Sequence, residues 1–279
     1  SGDVTVDREQ NVYVVGQYSG TSQFAQTSGG NQNLLSFGST DYYVAKYFPA
    51  GTLDWLSRGG GNNQDNAGGV VVDSALNVYV SGSYGCCSNS FVNFGANNLN
   101  NTGGWGAFVA KYDNAGAVQW GNGMGTANSE SMSKVTYDEV HDRVIVIGHF
   151  QGNSVFTSRP PGANITLTGS GTSYNTVIAS MNENGSLQWC RTFGGNGTEY
   201  GFDVKVDGNG KIYAFGEFSS QTNFGGGNVL PTGTSSAYWT SYDMNNLYQQ
   251  SGTFGGTLSS AYAGHLGATG LLYAGGVYQ

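Results

Sequence analysis

The sequence repeats itself, and the repeat limits the folds open to it. A Val-x-x-Asp step stands at Val4–Asp7, Val70–Asp73, Val135–Asp138 and Val204–Asp207, its aspartates 66, 65 and 69 residues apart. Each copy then carries an alternating apolar run: Val12-Tyr13-Val14, Val78-Tyr79-Val80, Val144-Ile145-Val146 and Ile212-Tyr213-Ala214, with a fifth at Leu272-Tyr273-Ala274. Every run reaches a glycine followed two residues later by an aromatic: Gly16/Tyr18, Gly82/Tyr84, Gly148/Phe150, Gly216/Phe218 and Gly276/Tyr278. β-branched and aromatic residues bounded by Asp, Asn and Gly mark strands, and the short interval after each Asp marks a hairpin. These are strands a and b.

Strand c follows at Tyr43–Tyr47, Phe108–Tyr112, Val177–Met181 and Tyr238–Tyr242. A turn rich in Asp, Asn and Gly ends it. Strand d then carries Trp55, Trp120 or Trp189, each four residues after a turn glycine, with Gln250 in the fourth copy. No segment has a period near 3.6. Four short strands repeated in tandem predict an all-β chain, a β-propeller of four-stranded blades. The repeats are placed at 4–69, 70–134, 135–203 and 204–265, with a half repeat at 266–279. Together they form one repeat domain of a longer chain. An open stacked β-repeat array is the alternative. The long b–c connections (19–41, 85–106, 151–175 and 219–236) each hold an apolar step after an Asn, such as Asn33-Leu34, and predict a short extra strand.

The run Phe108-Val109-Ala110-Lys111-Tyr112-Asp113-Asn114-Ala115-Gly116 followed by Trp120 resembles the SBBP-type β-propeller repeat. So do Val72-Asp73 with Asn77–Gly82, and Phe193-Gly194-Gly195. The third and fourth copies depart from that pattern by losing the Lys of strand c. The resemblance implies a propeller in a secreted or cell-surface setting. It carries no catalytic residues to transfer.

Charge narrows the partners. The net charge is −8, and five Lys and five Arg are scattered. Nucleic acid and anionic membranes both need clustered cations, so neither is expected. No apolar run approaches a membrane span. Ser1 opens no signal peptide, which for a secreted protein predicts a processed or partial chain. Aromatic residues at 13% and only 10% charged residues fit a packed, Gly-rich repeat rather than a disordered chain.

The aspartates at the repeat position are expected to cap hairpin amides. Asp207-Gly208-Asn209-Gly210 is a weak calcium candidate without EF-hand spacing. Gln17, Ser83, His149, Glu217 and Val277 occupy one position of strand b, and the polar four form a candidate ligand ring. Tyr42, Trp105, Tyr174 and Tyr238 are candidate sugar-stacking aromatics. Asn100, Asn164, Asn184 and Asn196 head N-glycosylation sequons. Cys86 and Cys87 are adjacent and either can pair with Cys190; a vicinal disulfide and free thiols are the other readings. No zinc spacing, phosphate loop, HExxH or GxSxG motif is present, and no cofactor is expected. The chain is expected to be an extracellular, non-enzymatic structural or adhesive module, such as a glycosylated subunit of a surface layer or filament. Its partners are expected to be other subunits or its own exposed strand edges. The alternatives are a carbohydrate-binding propeller and a non-catalytic domain of a larger secreted enzyme.

Overall fold

The computed structural model describes residues 2–24, 31–87, 89–94, 97–255, 259–267 and 271–278, which contain strands and turns but no helix. The chain divides into two compact units, Ser1–Val135 and Thr136–Gln279. The first holds β1 (Asp3–Val6), β2 (Val12–Tyr18), β3 (Thr21–Phe24), β4 (Gln32–Leu35), β5 (Asp41–Tyr47) and β6 (Leu53–Gly61). It continues with β7 (Asp65–Val72), β8 (Val78–Tyr84), β9 (Ser90–Phe94), β10 (Asn97–Asn101), β11 (Gly106–Tyr112) and β12 (Val118–Met124). β13 (Glu130–Asp138) crosses the division. The second unit has β14 (Arg143–Gln151), β15 (Asn153–Phe156), β16 (Ile165–Thr168), β17 (Tyr174–Asn182), β18 (Leu187–Phe193), β19 (Glu199–Val206) and β20 (Ile212–Phe218). β21 (Thr222–Asn223), β22 (Asn228–Val229), β23 (Ser236–Tyr242), β24 (Tyr248–Phe254), β25 (Ser259–Leu266) and β26 (Leu272–Tyr278) complete it.

Each full copy is an antiparallel sheet in the order a-b-c-d: β1-β2-β5-β6, β7-β8-β11-β12, β13-β14-β17-β18 and β19-β20-β23-β24. β25 and β26 pair as a two-stranded fifth. Every b–c connection holds a small hairpin of two strands, where the sequence predicted one. One of them, β9-β10, extends the first sheet by pairing Gly60 with Asn93 and Gly61 with Val92.

Strand a begins upstream of the boundaries read from the sequence, at Asp65, Glu130, Glu199 and Ser259 rather than at 70, 135, 204 and 266. A register shift interrupts three of these strands, between Ala67 and Gly69, Gly201 and Asp203, and Ala261 and Ala263. Such a bulge breaks the two-residue alternation, so the first half of the strand has no readable pattern. Residues 268–270 and 279 of the expected half repeat lie outside the described residues.

The hairpin aspartates do what their position predicts. Asp7 Oδ1 accepts the amides of Glu9 and Asn11, and Oδ2 accepts Asn11 Nδ2 and the Tyr13 hydroxyl. Asp73 repeats this with Asn77 and Tyr79. Asp138 instead takes the Val140 amide, His141 Nδ1 and Arg143 Nε. Burial pushes the Asp7 and Asp138 carboxyls up, but these donors outweigh it and hold both below the usual value.

Within each unit, equivalent residues join one sheet to the next. On strand a, Asp3 Oδ2 accepts the Val70 amide at 3.0 Å and Asp203 Oδ2 accepts the Gly264 amide at 2.8 Å. At the far edge, Ser57 Oγ donates to the Gly116 carbonyl, and Arg191 Nη2 donates to the Asn246 carbonyl. Both acceptors sit in the left-handed region, at φ 78° and 62°. Trp55 Nε1 donates to the Asn114 carbonyl at 2.9 Å, and its ring lies against Gly116, where a Cβ would come within 2.7 Å of it. Gly116→Ala combines that clash with left-handed strain and should cost about 1–3 kcal/mol. A urea-denaturation midpoint equal to the wild type would contradict this account of the turn.

Candidate ligand-binding surface

The five residues between glycine and aromatic on strand b do not share one environment. In the first unit Gln17 is exposed. Ser83 pairs with Asn66 across β8 and β7. It lines a shallow cleft of about 220 Å³ with Asn66, Gly68, Ser131 and Ser133. In the second unit His149 lies edge-on between Tyr174 and Tyr200, with ring centroids 5.1 and 4.8 Å away. Glu217 pairs with Tyr200 across β20 and β19 and accepts the Ser260 hydroxyl. Val277 is exposed.

A rule connects these contacts. Asn66, Tyr200 and Ser260 each stand seven residues before the first position of the a–b hairpin turn, at Asp73, Asp207 and Gly267. His149 therefore meets its Tyr200 from the next copy's strand a, as Glu217 meets Ser260. Strand a was missed as a source of site residues because the bulge hides its start.

The second unit thus carries a continuous aromatic strip. Tyr174 and Tyr200 are 5.1 Å apart, Tyr200 stacks on Phe202 at 5.7 Å, and Phe202 meets Tyr262 at 5.0 Å. Phe202 and Tyr262 are the extra residues at the bulges of β19 and β25. A bulge re-aims one side chain out of the alternating pattern, and both copies use it to place an aromatic ring. Tyr262 is exposed, while Tyr174, Tyr200 and Phe202 are half-buried. Burial, with Tyr174 and Glu217 nearby, raises the Tyr200 hydroxyl above its usual value. The His149 Nδ1 atom is buried and has no hydrogen-bond partner.

The other candidates fall elsewhere. Of the four aromatics expected to stack on sugars, Tyr42 and Tyr238 are fully buried and belong to the core. Tyr42 stacks on Phe108 at 4.9 Å, and Tyr238 packs against Phe193 and Phe224. Both faces of an inner sheet are covered by neighbours, so a residue near a strand end is no guide to exposure. Tyr174 joins the aromatic strip and Trp105 is half-buried. Asp207 Oδ1 accepts the Asn209 and Lys211 amides, so this carboxylate serves its own turn. No group of three or more metal-ligating side chains occurs among the described residues. Asn100, Asn164, Asn184 and Asn196 are all exposed. All three cysteines are free; Cys86 Sγ and Cys87 Sγ are 2.8 Å apart. Burial pushes the Cys190 thiol up to about 12.

No family model matches the chain. A WD repeat-containing protein of Acanthamoeba polyphaga mimivirus, itself uncharacterised, is 27% identical over 155 residues. The match covers 53% of this chain and 11% of the viral protein, so the chain spans about a tenth of that relative's length. The likeness is to a β-repeat protein; no Trp-Asp dipeptide occurs here.

Burial pushes the His149 imidazole down to about 4. The neutral ring is favoured by the folded state, so protonation works against folding as pH falls below the free value near 6.5. His149 ring shifts followed by NMR should stay flat from pH 8 to about 5. A midpoint near 6.5 would show that the ring is solvated and the strip open.

Proposed function

We propose that this chain is a β-propeller segment of the SBBP type, working outside the cell as a non-enzymatic structural or adhesive module. The observation that carries the reading is unequal exposure at one repeat position. Val70 and Val204 are 4% and 0% exposed, whereas Val4, their counterpart in the first copy, is 59% exposed. Val6 beside it is 55% exposed. An apolar sheet face that other copies bury is built to take another repeat's sheet. Another repeat's sheet is the natural cover, within a ring or on a neighbouring molecule. The repeated strand-a and outer-edge links supply the geometry by which one sheet takes the next. The viral relative's WD-repeat description supports a β-repeat scaffold. The low charge and four exposed sequons fit a glycosylated surface subunit.

Sedimentation of the secreted chain should show association that rises with concentration. Val4→Glu with Val6→Glu should abolish it while leaving the fold intact. A wild-type chain that stays monomeric at every concentration would overturn the adhesive reading. In the same preparation, a mass that does not fall on glycosidase treatment would remove the glycan part of it.

The aromatic strip favours a second reading, carbohydrate binding. Sugars stack their apolar faces on aromatic rings and give hydroxyls to carboxylates, and Tyr262 stands exposed on the strand paired with β26. On a glycan array the wild-type chain should bind one class of sugars, and Tyr262→Ala should weaken that binding at least about tenfold, or about 1.4 kcal/mol. Equal binding by both proteins would separate the strip from any sugar site.

A further inference from the structure

Two carboxylic acids meet inside the first unit, where β5 and β7 begin. Asp41 and Asp65 are both 0% exposed. The backbone holds them side by side: the Asp65 amide donates to the Thr40 carbonyl at 2.8 Å, and Thr40 and Gln64 form a parallel bridge. Asp41 Oδ2 accepts the Phe37 amide. Asp65 Oδ2 accepts the Gly61 amide at 2.8 Å. The remaining oxygens, Asp41 Oδ1 and Asp65 Oδ1, are buried and have no hydrogen-bond partner, although the Gly38 amide lies near the Asp41 carboxyl and the Gly85 amide near that of Asp65. The two carboxyls are within hydrogen-bonding reach of each other. Gly60 closes the site, since a Cβ there would lie 2.4 Å from Asp41 Oδ1.

Two ionised carboxylates in buried contact repel strongly, and an orphaned buried oxygen costs more still. One proton placed between them removes both penalties, because a carboxylic acid donates where a carboxylate accepts. We propose that Asp41 and Asp65 share a single proton, and that this acid–carboxylate bond is a pH-sensitive clasp joining the first repeat to the second.

The surrounding charges are few. Arg58 faces Asp41, but its guanidinium donates to the Leu35 carbonyl and stacks on Phe37 at 3.7 Å. Tyr18 faces Asp41, and Tyr42 faces both acids. Tyr84 and Cys86 face Asp65, and Glu130 lies beyond Tyr84. Burial pushes Asp65 up to about 7, with Asp41 adding to the shift, and burial raises Asp41 as well.

The second unit holds an internal comparison. The residues at the same repeat positions are Asn175 and Glu199, an amide and an acid. Glu199 accepts the Gly195 amide and the hydroxyls of Ser220 and Thr222 there, which offset part of the rise that burial gives its carboxyl. Only the first unit pairs two acids.

The sign follows from the raised value. The folded state binds the shared proton more tightly than the unfolded chain does. The clasp's contribution is therefore full below the free carboxyl value near 4 and is lost as pH rises through about 7. The proton released goes to solvent and leaves two buried anions, which drive the two strand starts apart.

The test uses the whole chain. Carboxyl carbon NMR should give Asp65 a midpoint near 7, and the urea-denaturation midpoint should fall as pH is raised from 5 to 8. Asp41→Asn puts at this position the residue type that the second unit has there, removes the second carboxyl, and leaves an amide that can donate to an ionised Asp65. It should lower the Asp65 midpoint by more than about one pH unit and flatten the stability profile. A wild-type Asp65 titrating near 4 would overturn the proposal, whether or not the variant folds. So would an unchanged profile in Asp41→Asn. Calcium that restores the wild-type urea midpoint at pH 8 would also overturn it, by showing that a metal cation occupies the place assigned to the proton.

Discussion

A sheet that is apolar on both faces must be covered on both, and that requirement governs each unit. β11 is buried along its whole length, and β17 from Asn175 to Met181. In the first unit Tyr42 of one sheet stacks on Phe108 of the next, and its hydroxyl meets that of Tyr112 at 2.9 Å. A hydroxyl buried between sheets finds its partner on the facing sheet, so packing and hydrogen bonding fix the same approach. The edge links then hold the sheets in place: Asp3 and Asp203 at strand a, Ser57 and Arg191 at strand d. Gly116 is needed where Trp55 rests on the turn of the following sheet, because a side chain would occupy the ring's place.

Acidic side chains serve two opposite ends of this design. The hairpin aspartates are surrounded by donors, which outweigh burial and keep Asp7 and Asp138 ionised. The acids at the start of strand a are enclosed by carbonyls, glycines and aromatic rings. Burial raises both, but Glu199 accepts two hydroxyls that partly offset it, whereas Asp65 faces another carboxyl. The same residue type thus favours the charged form in one place and the neutral form in the other. The difference lies in how many N–H and O–H groups reach it.

The aromatic strip of the second unit comes from irregularity. Phe202 and Tyr262 occupy bulge positions, where Gly68 stands in the first unit. A side chain at Gly68 would meet the Met132 carbonyl within 2.8 Å. The repeat keeps the bulge, and the residue placed there decides between close backbone packing and a displayed ring. Tyr200 gains its contact with His149 because strand a of one copy lies beside strand b of the copy before it.

The repeat read from Val-x-x-Asp, the glycine–aromatic pairs and the tryptophans was enough to determine the strands, their a-b-c-d order and the hairpin role of Asp7, Asp73, Asp138 and Asp207. These are local matters, settled by alternation and by the reach of a carboxylate to the next few amides. The starts of strand a at Asp65, Glu199 and Ser259 stayed hidden, because a bulge erases the two-residue period. The burial of Tyr42 and Tyr238 also stayed hidden, since it depends on a facing sheet and not on neighbours in the chain. Only the tertiary structure decided that His149 meets Tyr200 and that Asp41 meets Asp65. Each pair comes from different copies of the repeat, and no spacing along one strand records which face of the next sheet it will touch.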